Sequence, residues 1–187
     1  MSKPVVIFDL DDTLFETSNW FRKYFAVLGI EYPQPNDYFL DQNVDPKVIK
    51  FALDCGFYMT EAEPVEGAAH YVNRLLSAGY DVHYATYRGY HWKAGELTTQ
   101  SLYRHGLSKS GVNLIFVDPS QCPCKMKVLD RMFDKYVLVD DMPKGVRTCK
   151  GQTIIYDRPW NRTITNAPRI SGLDGLMSAI ENLEWFN

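Results

Sequence analysis

The 187-residue chain has no excess of positive charge: 20 Lys and Arg stand against 23 Asp and Glu, a formal net charge of −3. Proteins that bind nucleic acid in general neutralise phosphates with a basic surplus, so general nucleic-acid binding is not expected, although a local basic pocket is compatible with this balance. The chain also has no long apolar run. None approaches the roughly 18 residues that span a bilayer, and no membrane association is expected. The short apolar run after Met1-Ser2-Lys3-Pro4 is cut by Asp9, Asp11 and Asp12. A secretory signal would not carry them there, so a soluble, cytoplasmic protein is the expectation. Cysteine is scarce, and Cys55, Cys122, Cys124 and Cys149 form no C-x-x-C pair. Neither a zinc ribbon nor a thioredoxin-type site is spelled out. Cys122-Pro123-Cys124 reads as two thiols in a loop that starts a helix. His70, His83, His91 and His105 stand apart from one another and make no zinc set. Internal repeats and low-complexity tracts are missing as well.

What is present is apolar and aromatic material, 45% and 14% of the residues. That much excludes intrinsic disorder and suffices for one domain with a real core, with room for a small insertion. Val5–Phe8, Tyr80–Ala85, Asn113–Val117, Tyr136–Val139 and Thr153–Tyr156 read as short strands, the first a continuous apolar run suited to burial on both faces. Helical patterns separate them. Val65–Ser77 carries apolar residues at a 3.6-residue period, and Trp92–His105, Cys124–Phe133 and Leu173–Leu183 follow. Strands alternating with helices predict a doubly wound α/β fold, a parallel sheet with helices on both faces.

One stretch breaks the rhythm. Residues 15–64 contain no convincing strand. Phe15–Leu28 reads as an aromatic-rich helix, Pro33, Pro35, Asn36 and Asp37 as turns, and Asp45-Pro46 as the cap and first residue of a helix through Leu53. The expectation is a core of residues 1–14 and 65–187 and a small helical cap of residues 15–64. The cap leaves the first strand at its C-terminal end, the edge at which open α/β sheets bind ligands.

The strongest signal is Asp9-Leu10-Asp11-Asp12-Thr13-Leu14, directly after the first strand. Two unit charges about 4 Å apart repel by about 4 kcal/mol at an effective dielectric near 20. A solvated turn with an Asp cap explains one carboxylate and not three, so a cationic partner is implied. Asp9 and Asp11 are two residues apart, which places them on one side of an extended chain, from where both can converge on one point. Hard oxygen ligands at that spacing suit Mg²⁺. One carboxylate could attack phosphorus while its neighbour protonates the leaving group and then activates water. Asp140-Asp141 ends another strand, and two such doublets at neighbouring strand ends would share one metal. Thr86 ends Tyr80–Ala85, where its hydroxyl and the N–H groups that follow, Tyr87 first, could hold phosphate oxygens. Lys125 or Lys127, at a helix start, could neutralise phosphate and carboxylate.

These elements, in this order, resemble the haloacid dehalogenase (HAD) superfamily of phosphohydrolases. The resemblance implies Asp9 as nucleophile, Asp11 as general acid/base, Thr86 as the second-motif hydroxyl, Lys125 or Lys127 as the third-motif lysine with Lys125 preferred, and Asp140-Asp141 completing the metal site, with Asp141 favoured as the direct ligand. Ile154-Ile155-Tyr156-Asp157-Arg158-Pro159-Trp160-Asn161-Arg162 resembles the corresponding stretch of the 5'(3')-deoxyribonucleotidases, which also carry a small helical insertion after the first motif. Thr13, where those enzymes often have Val, and Tyr87-Arg88, where they often have Ser, depart from their pattern. The resemblance implies a Mg²⁺-dependent phosphomonoesterase acting on nucleoside monophosphates. Another small phosphate ester, a polynucleotide 3'-phosphate, and a catalytically silent nucleotide-binding domain are the alternatives. Arg88 and Arg158 could contact substrate. Trp20, Phe21 and Tyr24, within an aromatic-rich segment that also holds Phe15, Phe25, Tyr32, Tyr38 and Phe39, could stack on a base. The same aromatics could cover a homodimer interface.

Overall fold

The computed structural model describes residues 3–31, 38 and 44–183. The turns expected at Pro33, Pro35, Asn36 and Asp37, and the aromatics Tyr32 and Phe39, lie outside the described residues. Six parallel strands form one sheet: β1 (Val5–Phe8), β2 (Asp81–Thr86), β3 (Leu114–Phe116), β4 (Tyr136–Asp140), β5 (Gly151–Tyr156) and β6 (Arg169–Ile170), in the spatial order β3-β2-β1-β4-β5-β6. This is the doubly wound α/β architecture that the strand–helix alternation predicts. The five longer strands fall where the apolar runs place them. The sixth has two residues, too short for any periodicity to announce it.

The helices are α1 (Thr17–Val27), α2 (Pro46–Cys55), α3 (Tyr58–Glu61), α4 (Ala68–Ser77), α5 (Ala94–Arg104), α6 (Lys125–Met132) and α7 (Leu176–Glu181). Alternation along the strands feeds two cores. Val6, Phe8, Val137, Val139 and Ile154 point to the face covered by α4 and α7, whose Val72, Leu75, Leu176 and Ile180 are buried there. Ile7 and Leu138 point to the opposite face, against Met126 and Leu129 of α6. A strand with apolar residues on both sides has no solvent face, which is why β1 and β4 read as unbroken runs.

Several helices are shorter than their periodicity suggests. Gly67, at φ +74°, starts α4 three residues after Val65, which packs beneath it without being helical. Phe15 pairs as an isolated bridge with Pro64 and so lies outside α1. The expected cap at Asp45 is present, its carboxylate accepting from the Lys47 N–H at 2.8 Å, and α2 ends at Gly56, at φ +67°. Between β1 and α4, the helices α1–α3 gather a small apolar cluster of their own around Phe21, Phe25, Ala52, Tyr58 and Met59.

Strand order places the working edge. The chain runs outward from β1 through β2 to β3, then returns to the other side of β1 as β4. The reversal opens a crevice between β1 and β4 at their C-terminal ends. The register pairs Phe8 with Val139, so the next residues, Asp9 and Asp140, emerge side by side, with the Asp9 N–H on the Val139 carbonyl at 2.8 Å.

Gly151 faces Tyr136 across the β4–β5 pair, and a Cβ there would lie 2.1 Å from the phenol ring. That ring is fully buried and tied through its hydroxyl to Asp130 at 2.8 Å, so it has nowhere to move. Gly151→Ala is expected to destabilise the protein by roughly 1–3 kcal/mol through overpacking. Gly95→Ala, in α5 with nothing within 4 Å of the new carbon, should be neutral or stabilising. Thermal unfolding of both variants checks the pair.

Candidate active site

Three carboxylates meet in the crevice between β1 and β4. One oxygen each of Asp9, Asp140 and Asp141 lies within 4.8 Å of the others, all three residues buried. The cation implied by such a cluster is Lys125, the first residue of α6. Its ammonium sits 2.7 Å from Asp9 and 2.8 Å from Asp140 and is itself buried. Lys127, two residues on, points to solvent. Burial works against the charge on Lys125, but the flanking Asp140 and Asp9 hold its proton more tightly than usual. Tyr87 braces this lysine: its hydroxyl donates to the Pro123 carbonyl at 2.7 Å and accepts from the Lys125 N–H at 3.1 Å, and its ring lies 4.6 Å beneath the ammonium.

The two aspartates that end β4 have different partners. Asp140 takes Lys125 and the Met142 N–H. Asp141 accepts from the indole N–H of Trp160 at 2.9 Å, and its backbone N–H donates to the Thr13 hydroxyl at 3.0 Å. The buried Asn161 amide then holds the Asp141 carbonyl at 2.6 Å. Trp160 and Asn161 therefore anchor the acidic loop, a role sequence reasoning did not assign them. The only signal was their place beyond β5.

Adjacent aspartates in the first motif part company. Burial pushes the Asp9 carboxyl up to about 7, reinforced by Asp140 and Asp11 and opposed by Lys125. Asp141 is raised well above the ordinary carboxylate range, by burial first and then by Asp12, Asp140 and Asp9. Asp9 and Asp11, expected to converge on one point, line the same cavity, but their carboxylates have different partners. The Asp11 carboxylate is not one of the trio. It is gripped by Arg88, at 3.0 Å from Nε and 2.7 Å from Nη2, and by the Thr17 hydroxyl at 2.7 Å. Burial opposes ionisation of Asp11, yet the Arg88 charge and these hydrogen bonds prevail and hold its carboxyl below the ordinary value. Asp12 turns inward, at φ +55°, to accept from the Ser18 N–H and hydroxyl. It is a loop former, a conformation Asp tolerates.

A cavity of about 510 Å³ opens over the carboxylates. Asp9, Asp11, Lys125, Asp140 and Asp141 form its floor, and Tyr38, Tyr58, Tyr87 and Tyr90 line its walls with Leu53, Met142 and Lys144. Trp20, Phe21 and Tyr24, the aromatics expected to contact substrate, do not line this cavity. Phe21 is fully buried in the cluster of α1–α3. Trp20 stacks on Tyr24 along a separate groove edged by Glu16, Glu61 and Glu63. Helical spacing put these rings on one side of α1, and that side faces the helices' own core. Arg158 is also elsewhere: it donates to the Asp12 carbonyl at 2.8 Å and pairs with Glu16 at 3.0 Å, bracing the acidic loop from outside. Arg88 lines the cavity with its guanidinium already committed to Asp11. Thr86 ends β2 fully buried and accepts from the Arg88 N–H at 3.3 Å, which leaves its own O–H to donate.

No protein-family model matches the chain, and no curated protein sequence does. Solved structures do. A HAD family hydrolase from Deinococcus radiodurans with bound phosphate and sodium superposes with a TM-score of 0.64 at 17% identity, covering 96% of this chain and 95% of that one. A HAD hydrolase of Bacillus subtilis bound to magnesium gives 0.63 at 12% identity, covering 97% and 100%. The L-2-haloacid dehalogenase of Xanthobacter autotrophicus, with chloropropionic acid covalently bound, gives 0.58 at 13% identity, covering 98% and 100%. The chain has the fold of the HAD hydrolases. Among its described residues, no helix is long and apolar enough to cross a membrane.

The raised Asp9 carboxyl has a measurable consequence. Its folded value of about 7 lies above the unfolded value near 3.8. The stability it contributes is complete below the unfolded value and is lost as pH rises to about 7. Asp9→Asn carries no charge to bury. In the presence of a chelator, its melting temperature relative to wild type should therefore climb between pH 5 and pH 8. A constant difference across that range would show that Asp9 is not raised.

Proposed function

We propose that the protein is a Mg²⁺-dependent phosphomonoesterase working through an aspartyl-phosphate on Asp9. The observation that carries this reading is the Lys125 ammonium between Asp9 and Asp140, with Asp141 completing a buried trio. Once ionised, three hard-oxygen carboxylates against one ammonium would carry two negative charges beyond the ammonium, the complement of a divalent cation, and the raised Asp9 and Asp141 carboxyls are what such a site shows before an ion displaces their protons. Asp9, Asp140 and Asp141 would hold the ion, which when bound neutralises the phosphoryl oxygens and shields the nucleophile from them. The magnesium and the phosphate named for two proteins of the same fold support this assignment.

The chain's own residues supply the rest. Lys125 works against the upward shift of the Asp9 carboxyl and is placed to face the oxygens of an incoming phosphoryl group. The Thr86 hydroxyl, at the neighbouring strand end, is placed to donate to them. Asp9 attacks phosphorus, the ester bond breaks, and the leaving oxygen takes a proton from Asp11. Water then attacks the aspartyl-phosphate as Asp11 recovers a proton from it, and inorganic phosphate leaves with Asp9 restored. Held by Arg88, Asp11 rests in its basic form, so it takes up a proton from the monoanionic phosphate ester or from water before it passes one to the leaving oxygen, and its basic form then serves the second half.

The substrate reading is a nucleoside monophosphate. Its support is the set of tyrosines on the cavity wall, Tyr38, Tyr58, Tyr87 and Tyr90, in place of the α1 aromatics. A cavity of about 510 Å³ is also of the size that encloses a small organic ligand. Flat phenol faces suit a base better than a sugar.

Phosphate release from a panel of nucleotides, sugar phosphates and p-nitrophenyl phosphate tests both levels. Activity should need Mg²⁺ and vanish with EDTA. Asp9→Asn should abolish it, and Asp11→Asn should slow it by roughly 10²–10⁴-fold. Turnover by Asp9→Asn near the wild-type rate ends the mechanism. Tyr90→Ala should raise KM for a nucleoside monophosphate by roughly 5–150-fold, the worth of one stacked base, and spare p-nitrophenyl phosphate. Sugar phosphates outrunning nucleotides would retire the nucleotide assignment and leave the phosphatase.

A further inference from the structure

Arg88 does more than pair with Asp11. The residue is 1% exposed, and its guanidinium reaches three structures at once. Nε and Nη2 grip the Asp11 carboxylate, while Nη1 donates to the Met59 carbonyl at 3.4 Å and to the Thr98 hydroxyl at 3.3 Å. The rings of Phe15 and Tyr58 lie 5.7 and 5.5 Å from its central carbon. One side chain therefore joins the loop after β1, the last helix of the 15–64 segment, and α5.

The contact with Met59 has a specific physical basis. The helix α3 is four residues long, so beyond Tyr58, whose carbonyl accepts from the Ala62 N–H, its carbonyls have no partners further along the helix. Those of Met59 and Thr60 are taken by Arg88 and by Arg104, the latter at 2.9 Å. The hydroxyls of Tyr58 and Tyr90 meet at 2.7 Å. Three side chains from residues 88–104 thus hold α3, and one of them also holds Asp11. A buried arginine has no water to replace a lost partner, so its two attachments depend on each other.

We propose that Arg88 is a positioning residue that makes the seating of α3 and the placement of the Asp11 carboxylate a single event. With α3 docked, the guanidinium is oriented to present its fork to Asp11. With α3 displaced, the fork loses its third anchor and Asp11 is released. The helix that carries the cavity-lining Tyr58 is then linked to the group that handles the proton. A ligand pressing on the roof reaches the chemistry through Arg88. The coupling itself stands on the geometry, and only its kinetic consequence rests on Asp11 being the acid/base group of a phosphatase.

The test is hydrogen exchange at the amides of Met59, Thr60, Glu61 and Ala62, all bonded within this helical turn. Asp11→Ala touches none of them. Exchange there should still accelerate by roughly tenfold or more, while the amides of β1 and β4 stay protected. Asp11→Asn, which keeps one acceptor, should give a smaller acceleration and serves if the alanine variant does not fold. Unchanged exchange at these four amides in a folded Asp11 variant overturns the proposal, whether or not the protein proves to be a phosphatase. The kinetic arm uses Arg88→Lys with p-nitrophenyl phosphate. It should lower kcat with KM little altered, and the loss should disappear in the Asp11→Asn background. A loss of equal size in both backgrounds would make Arg88 a structural brace independent of Asp11.

Discussion

The structure is organised around buried negative charge at the junction of β1 and β4. Neighbouring strands in register bring Asp9 and Asp140 out side by side, and Asp141 follows at once. Such a cluster is unfavourable in a water-poor crevice unless a cation is built in. Lys125 is that cation, and its demands spread outward. It must lie at the first turn of α6, so α6 must start beside the sheet edge. Its backbone N–H is met by Tyr87, from the turn after β2. Met126 and Leu129 must then pack on the face of the sheet that Ile7 and Leu138 present. A helix position, a turn residue and the packing on one face of the sheet follow from one electrostatic requirement.

Three aspartates within four residues receive three different environments. Asp9 shares Lys125 with Asp140 and is raised by burial. Asp11 is held down by Arg88 and Thr17. Asp12 folds inward onto Ser18 and is raised to about 7, chiefly by burial. The backbone makes the separation: an extended residue at Asp9, then a turn whose left-handed residue is Asp12. Residues that would repel as a block are thereby assigned to a metal-type cluster, an arginine fork and a loop brace. Their surroundings thus drive neighbouring carboxylates apart in proton affinity, Asp9 upward by burial and Asp11 downward by the Arg88 charge and its hydrogen bonds.

The sheet was legible in the sequence because parallel strands buried on both faces leave unbroken apolar runs. The two-residue β6 and the four-residue α3 were not, since neither is long enough to carry a period. The floor of the site was legible as charge: Asp9, Asp140, Asp141 and a lysine at 125 or 127 stand out because nothing else in a strand–helix chain explains them. The roof was not. The rings of α1 are the densest aromatic signal, yet helical spacing turned them toward Phe25, Ala52 and Met59. The tyrosines that do line the cavity are scattered over residues 38–90 and share no periodicity. Arg158 and Trp160 were visible as unusual residues, but their partners, Asp12 and Asp141, are about 146 and 19 residues away in the chain. Only tertiary structure brings them together.

Charge on the floor and apolar rings on the wall impose different freedoms. Asp9, Lys125 and Asp140 are bound to one another, so a change at any of the three disturbs the charge balance of the others. The wall is looser. Tyr90 is 41% exposed at the mouth of the cavity and Lys144 stands open to solvent. Such positions can be exchanged without uncovering a buried charge. Tyr58 is the exception. It is buried, lines the cavity, faces Arg88 and meets Tyr90 through its hydroxyl. At that point the wall and the floor are joined through Arg88, so a change in the wall there is not independent of the Asp11 carboxylate.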